Sequence, residues 1–337
     1  MNAILARVDA LRNRVPLDRY EIDDDASCVI LTPRFRTSRH VVALLIPNGA
    51  VEPSLVVKIP RLPHDAEGIS REARVLVALH EHSPDAGESV PRVVAYSDGD
   101  QPVLLETAFI GPLLTRAALR DGPSRSIDEV VRWLISLPRD AGHDVSFERL
   151  IEEPLAHFAE TCPEAASEGD LVDRTLGIVE PLRHARVPHV LEHGDLSQPN
   201  LILLSNGRVG VVDWELAEEH GLPLHDLSFF LVFASLALRP ARAVEGYGKV
   251  FAEAFFGRAA WAKARVVAYA EGLELERALL TPLFVACWAR HTARLAAQIG
   301  TGSSDVGGER AAWVRGNRSY RLWRQTLDNV NELVWSR

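Results

Sequence analysis

Short apolar runs separated by turn residues fill the first third of the chain, and helical spacing fills the rest. Ile4, Leu5, Val8 and Leu11 give residues 3–14 a helical stripe. Residues 28–32, 41–46 and 54–59 read as strands, with Pro47-Asn48-Gly49 as a turn. Residues 65–82 carry Ile69, Ala73, Leu76, Val77 and His80 on one side of an amphipathic helix, with Glu72 at the edge of that side. Strands at 92–97 and 102–107 flank Asp98-Gly99. The predicted order is β-β-β-α-β-β, a mostly antiparallel sheet with one helix. A Gly-Pro connector at 109–114 precedes helical patterns at 126–137, 146–160, 168–184, 225–238, 242–256, 259–271, 275–299 and 309–334. The pattern predicts an α+β chain of two lobes, a sheet lobe at 1–107 and a helical lobe at 108–337.

One stretch, residues 189–226, interrupts the helices. Leu201 to Leu204 and Val209 to Val212 are apolar runs joined by Ser205-Asn206-Gly207, which reads as a β-hairpin because Asn-Gly supplies the positive φ values of a tight turn. Its open end collects Asp195, Asn200 and Asp213. Two carboxylates and an amide oxygen suit a hard divalent cation and its phosphate ligand. They equally suit a base aimed at a hydroxyl.

Lys58 lies inside an apolar strand on the side of Val56, an unusual place for a surface lysine. Glu72 on the next helix is in reach of it. Such a pair is either a structural ion pair or a lysine held straight to meet nucleotide phosphates. Asp195 and Asn200 stand in the order D-x-x-x-x-N. That spacing serves phosphoryl transfer to an alcohol, with one carboxylate orienting the hydroxyl and further oxygen ligands for a metal. It also serves ordinary loop capping. A metal-hydrolase site from His193, Asp195, Asp213, His225 and Asp226 lacks an H-x-x-x-H helix, and no G-x-S-x-G elbow supports a serine hydrolase.

Lys on the third strand, Glu on the following helix, H-G-D-x-x-x-x-N and then V-D-W-E together resemble the aminoglycoside phosphotransferase and choline kinase-type family, from about residue 28 to 240. The resemblance implies a protein-kinase-like fold and an ATP- and Mg²⁺-dependent O-phosphotransferase, with GTP as the alternative nucleotide. The acceptor would be a small hydroxylated molecule: aminoglycoside, amino sugar, sugar or amino alcohol. It implies Asp195 as the catalytic base, with Asn200 and Asp213 as Mg²⁺ ligands. Lys58 would meet the phosphates and Glu72 would position it. Glu106, Thr107 and Ala108 would form the hinge facing the purine, Asp226 would brace the catalytic loop, and His193 would be structural. Trp214 and Glu215 are candidate acceptor contacts. The loop T-P-R-F-R-T-S-R-H departs from the family in lacking a glycine, leaving Ser38 to serve the phosphates, with Arg34, Arg36 and Arg39 as alternative charges. Ser197-Gln198 also departs from the family's His-Pro-Gly-like residues. The glycine-free loop is the one feature pointing to a different class, a kinase-like binding module without catalysis.

Composition narrows this little further. The 337 residues carry a formal charge of −9, which disfavours a general nucleic-acid binder. Cys28, Cys162 and Cys287 show no paired spacing and read as reduced thiols. Neither a secretory pattern nor an apolar run of the ~20 residues a membrane span needs is present, so a cytoplasmic protein without a membrane partner is expected. Acidic residues at 152, 153, 160, 164, 168 and 170 read chiefly as solvated helix faces.

Overall fold

A computed structural model describes the chain from residue 4 to 335, except 5–6, 9–10, 12–14, 16, 32–39, 63–64, 100, 122, 141–146, 240–243, 257–260 and 300–306. The chain divides into two compact units: residues 1–115 with 136–138 and 193–218, and residues 116–135 with 139–192 and 219–337.

The first unit is built on an antiparallel sheet of β1 (Ser27–Leu31), β2 (His40–Ile46), β3 (Leu55–Pro60), β4 (Val93–Ser97) and β5 (Val103–Thr107), in spatial order β1-β2-β3-β5-β4. Alternation along β3 and β5 sorts its two faces. Leu55, Val57, Ile59, Val103 and Leu105 join Ala43 and Leu45 in one apolar core, closed by Ile4, Val8, Leu11, Leu17 and Ile22 from the N-terminal segment. The opposite face carries Lys58, Leu104 and Glu106, and helix α1 (Ala66–His82) packs there through Ile69 and Ala73 against Leu104.

The buried stripe of α1 runs Ile69, Glu72, Ala73, Val75, Leu76 and Leu79, the i, i+3, i+4, i+7 pattern. It differs from the expected stripe at Val77, which is exposed, and at Glu72, which is fully buried rather than at the edge.

The hairpin forms from β8 (Leu201–Leu203) and β9 (Val209–Val211), with Leu201 opposite Val211. Its turn is not the tight Asn-Gly type. The Gly207 N–H donates to the Leu204 carbonyl and only Gly207 takes a positive φ, of 82°, so a longer turn with a glycine bulge closes it. The connector joins the hairpin edge: Leu114 N donates to Leu201 O at 2.7 Å and Leu203 N to Pro112 O at 2.8 Å.

In the second unit β6 (Arg139–Asp140) and β7 (His189–Glu192) lie in a small sheet beside β10 (Glu218–Gly221), ordered β10-β7-β6. The helices are α2 (Pro123–Ser136), α3 (Glu153–Thr161), α4 (Leu171–Val179), α5 (His225–Leu238), α6 (Val244–Phe255), α7 (Trp261–Gly272), α8 (Leu280–Ile299), α9 (Gly307–Gly316) and α10 (Arg318–Asp328). The expected single helix over 309–334 is two, because Asn317 leaves helical geometry and its side chain caps α10 at Ser319 N, 2.7 Å away. Helix α5 is apolar nearly all round and accordingly buried. Phe251, Phe255, Phe284, Trp288 and Trp335 pack as an aromatic core beside it. No helix among the described residues is long and apolar enough to cross a membrane.

Candidate functional site

Lys58 and Glu106 stand on the same face of adjacent strands, since Lys58 pairs with Leu104 and Val56 with Glu106. Helix α1 brings Glu72 down onto them. Lys58 Nζ lies 2.5 Å from Glu72 Oε1, 3.3 Å from Glu106 Oε1 and 3.8 Å from Asp213 Oδ1. Burial alone would lower the ammonium pKa, but the carboxylates of Glu106, Glu72 and Asp213 outweigh it and raise it, so Lys58 stays charged. Glu106 is pushed up to about 8, chiefly by burial, which outweighs its attraction to Lys58. Its Oε2 finds no partner among the described residues.

Glu72 reaches further. Its Oε1 also accepts the backbone N–H of Trp214 at 2.9 Å. The residue before, Asp213, sits at φ +72°, a left-handed conformation that costs most side chains about 1–3 kcal/mol and aspartate less. Its carboxylate is partly open to solvent.

His193 couples this segment to the loop of Asp195. Its Nε2–H donates to Val212 O at 3.0 Å while Nδ1 accepts from Asp195 N at 3.3 Å, which fixes one neutral tautomer. Burial lowers its pKa to about 4. Gly194 between them takes φ +86°, and a Cβ there would stand 2.5 Å from Leu216 O, so only glycine fits. Asp195 is followed by a 3₁₀ turn, Gln198–Asn200. Asn200 Nδ2 donates to Asp195 O at 2.9 Å and approaches Asp195 Oδ2 at 3.5 Å. With the amide nitrogen so engaged, its oxygen is the atom left for a ligand. Burial first, and then the charge of Asp213, push Asp195 up to about 6.

The structure therefore brings Lys58, Glu72, Glu106 and Asp213 into contact, and links Asp195 to Asn200 directly and to the Asp213 segment through His193. Oxygen donors on Asn200 and Asp213 are of the hard kind Mg²⁺ takes. Other expected residues fare differently. Trp214 is 0 % exposed, its ring packs 4.7 Å from His193 and its indole N–H is used by Val211 O, so no face is free for a sugar. Glu215 is tied to His40, Oε2 to Nδ1 at 2.6 Å. The backbone N–H groups of Thr107 and Ala108, the expected hinge, donate to Arg92 O and Ser54 O. Asp226 is buried in the first turn of α5. Ser38, with the rest of the loop at 33–40 before His40, lies outside the described residues.

Sequence reasoning missed two members of this cluster, Glu106 as a side chain and His40. The signal for Glu106 was the one that marked Lys58: a charge inside an apolar strand. It also missed a buried network in the second unit. Glu192 Oε2 accepts from Arg290 at 3.0 Å and Oε1 from Arg294 at 2.8 Å. Burial would raise the Glu192 pKa, but Arg290, with His225 and Arg294, holds it well below the usual carboxylate range.

Comparison with known proteins bears on the family and the fold. The family model described as the phosphotransferase enzyme family matches residues 36–267. Among solved structures, the GDP and kanamycin complex of an aminoglycoside 2″-phosphotransferase is 16% identical with a TM-score of 0.56, covering 94% of this chain and 99% of that one. The choline kinase LicA from Streptococcus pneumoniae is 11% identical with a TM-score of 0.54, covering 92% and 99%. Aminoglycoside phosphotransferase APH(4)-Ia, in a ternary complex with ADP and hygromycin B, is 14% identical with a TM-score of 0.54, covering 92% and 97%. At such identities these neighbours establish the kinase-like fold alone. A search of curated protein sequences returned no match. With a family model spanning more than half its length and the ordered Lys, Glu, H-G-D and V-D-W-E elements gathered as described, the chain belongs to the phosphotransferase enzyme family.

Proposed function

We propose that the protein is a nucleotide- and Mg²⁺-dependent O-phosphotransferase acting on a hydroxyl of a small molecule, with ATP as donor and GTP as the alternative. The observation that carries this reading is the double grip of Glu72 on Lys58 and on the backbone beside Asp213, which holds a cation and a carboxylate in fixed relation. In this reading residues 1–107 bind the nucleotide and 108–337 supply the catalytic loop and acceptor pocket, with Asp226 bracing that loop. Lys58 meets the phosphates. Asn200 and Asp213 hold the metal, which when bound neutralises charge on the phosphates. Asp195 orients the acceptor hydroxyl and takes its proton late, a contribution of roughly 10²–10⁴-fold. Glu106, Thr107 and Ala108 form the hinge that hydrogen-bonds the purine.

The acceptor is a sugar, amino sugar, aminoglycoside or amino alcohol. Of the acidic residues of the helical region, Glu152 is paired with Arg183 and Glu168 with Arg315 and Arg324, so these two carboxylates do not point to a cationic acceptor.

Asp195→Asn tests the reading. The variant is expected to keep its thermal shift with ATP and Mg²⁺ and to lose turnover in an ATP-consumption screen over these acceptors. Turnover near wild type would overturn the role of Asp195. The absence of any shift in the wild-type protein at millimolar nucleotide would favour a binding module of another kind.

A further inference from the structure

Two imidazoles and a carboxylate meet on one face of the small sheet of the second unit, and no part of the mechanism above uses them. Asp140 of β6 stands directly opposite His189 of β7 in the antiparallel register, which puts both side chains on the same face. The neighbouring β10 adds His220, whose ring meets that of His189 edge to face, with centroids 5.7 Å apart at an interplanar angle of 68°. Its Nδ1 lies 3.5 Å from Asp140 Oδ2. Side chains from the two outer strands thus reach across the central one. One donor atom from each of the three residues lies within 4.8 Å of the other two.

These spacings are those of ligands gathered on one tetrahedral ion. With bonds of about 2.0–2.1 Å, a nitrogen and an oxygen on the same Zn²⁺ stand about 3.4 Å apart, and two imidazole rings have centroids about 5–6 Å apart. An exposed ion pair of histidine and aspartate contributes little by itself and calls for no second imidazole. We propose that Asp140, His189 and His220 form a Zn²⁺ site, with water in the fourth position. Imidazole nitrogen selects Zn²⁺ over Mg²⁺, which takes oxygen ligands. The site shares no residue with the pair Asn200–Asp213. The Asp140 and His220 side chains are 52 % and 58 % exposed, so an ion reaches them from solvent. The consequence is mechanical. Strand β6 is two residues long and meets β7 through two register pairs. An ion that takes one side chain from each strand staples all three, and stabilises the native state because the unfolded chain does not gather these ligands. In the sequence β7 runs straight into His193-Gly194-Asp195, so the staple fixes the strand that precedes that loop.

The test uses the full chain, stripped of metal with a chelator and then held in excess Mg²⁺, which fills all-oxygen sites. Co²⁺, a coloured substitute for Zn²⁺, is added without nucleotide and its visible absorption is read. Wild type is expected to show the intense bands of four-coordinate Co²⁺, to lose them when Zn²⁺ displaces it, and to melt at a higher temperature with Zn²⁺ than without. His220→Gln and Asp140→Asn, both at exposed positions, are expected to bind Zn²⁺ at least ~10-fold more weakly, since the loss of even an outer partner of a ligand costs that much. His220→Cys offers a thiolate in place of the imidazole. It is expected to restore binding and to add a sulfur-to-Co²⁺ charge-transfer band in the near ultraviolet, a signal that no structural role of His220 would produce. A wild type without four-coordinate bands, Zn²⁺ affinity unaltered by His220→Gln or by Asp140→Asn, or a His220→Cys protein without the thiolate band would each overturn the site. None of these readouts involves turnover, so the site stands or falls separately from the proposed reaction.

Discussion

Glu72 holds the backbone N–H of Trp214 at 2.9 Å through the same oxygen that takes Lys58 at 2.5 Å. A carboxylate on a helix thus sets both a strand lysine and the left-handed bend at Asp213. Truncation to Glu72→Ala leaves Lys58 with Glu106 and releases the Trp214 amide. The expected cost is about 3 kcal/mol in urea unfolding, the scale for breaking a buried ion pair. Turnover is expected to fall roughly 10²-fold or more because the groups proposed to bind phosphate and metal lose their mutual placement. Steady-state kinetics on folded protein checks this, and an unchanged kcat would refute it.

Burial pushes Asp195 up to about 6, against 3.8 for an ordinary aspartate, and the proposed base must be ionised to accept a proton. The rate is expected to rise with pH along a limb with an apparent pKa near 6. Stability runs the other way. A folded pKa above the unfolded one means that its stabilisation is fully present below about 4 and is lost as pH rises through about 6. Asp195→Asn removes that loss, so the variant is expected to be more stable than wild type at pH 7.5 by an amount on the order of 1–3 kcal/mol. The gain should vanish near pH 4, which parallel melts at the two pH values would reveal.

Glu106 shows the same direction at higher pH. Its burial keeps it protonated up to about 8, so its contribution to stability is lost as pH climbs through that value. Glu106→Gln mimics the neutral form. Its melting temperature is expected to match wild type near pH 4 and to exceed it by a margin that grows until the pH passes about 8.

Arg290 is 1 % exposed and its Nε and Nη2 find no partner among the described residues, so Glu192 is its one strong anchor. Arg290→Met leaves the buried carboxylate with the partly exposed Arg294, His225 and the Leu222 N–H. A loss of about 3 kcal/mol is expected. The double variant with Glu192→Leu is expected to recover part of it, since removing both charges also removes the desolvation cost. Chemical denaturation of the two proteins measures the difference.

Gly194→Ala forces a side chain into a left-handed position and against a carbonyl 2.5 Å from its Cβ. The expected destabilisation is at least ~2 kcal/mol. A variant as stable as wild type would mean that the loop carrying Asp195 is free to rearrange.

Much of this site was legible in one dimension. Lys58 was visible as a charge in an apolar strand, Glu72 from its place on an amphipathic helix, and Asp195, Asn200 and Asp213 from their spacing around a hairpin. The sheet and its one helix followed from periodicity, because burial of one face forces alternation in strands and a three-to-four repeat in helices. Trp214 shows where that reading went astray. Its position beside Asp213 suggested a stacking surface, but an aromatic ring next to a buried histidine gains more by filling the core.

The sequence by itself determined the order of the elements, the composition of both apolar faces and which residue types stand as candidates for chemistry, since each depends on neighbours a few residues away. Beyond the Lys58–Glu72 pair, tertiary structure alone decided which charges meet. Glu106 reaches Lys58 through the register of β3 with β5, and Glu72 reaches Trp214 across 142 residues. The pairings of His40 with Glu215 and of Glu192 with Arg290 arise in the same way. Strand register and helix packing are set by the summed burial of many apolar side chains, and no local pattern records which polar groups that burial brings together.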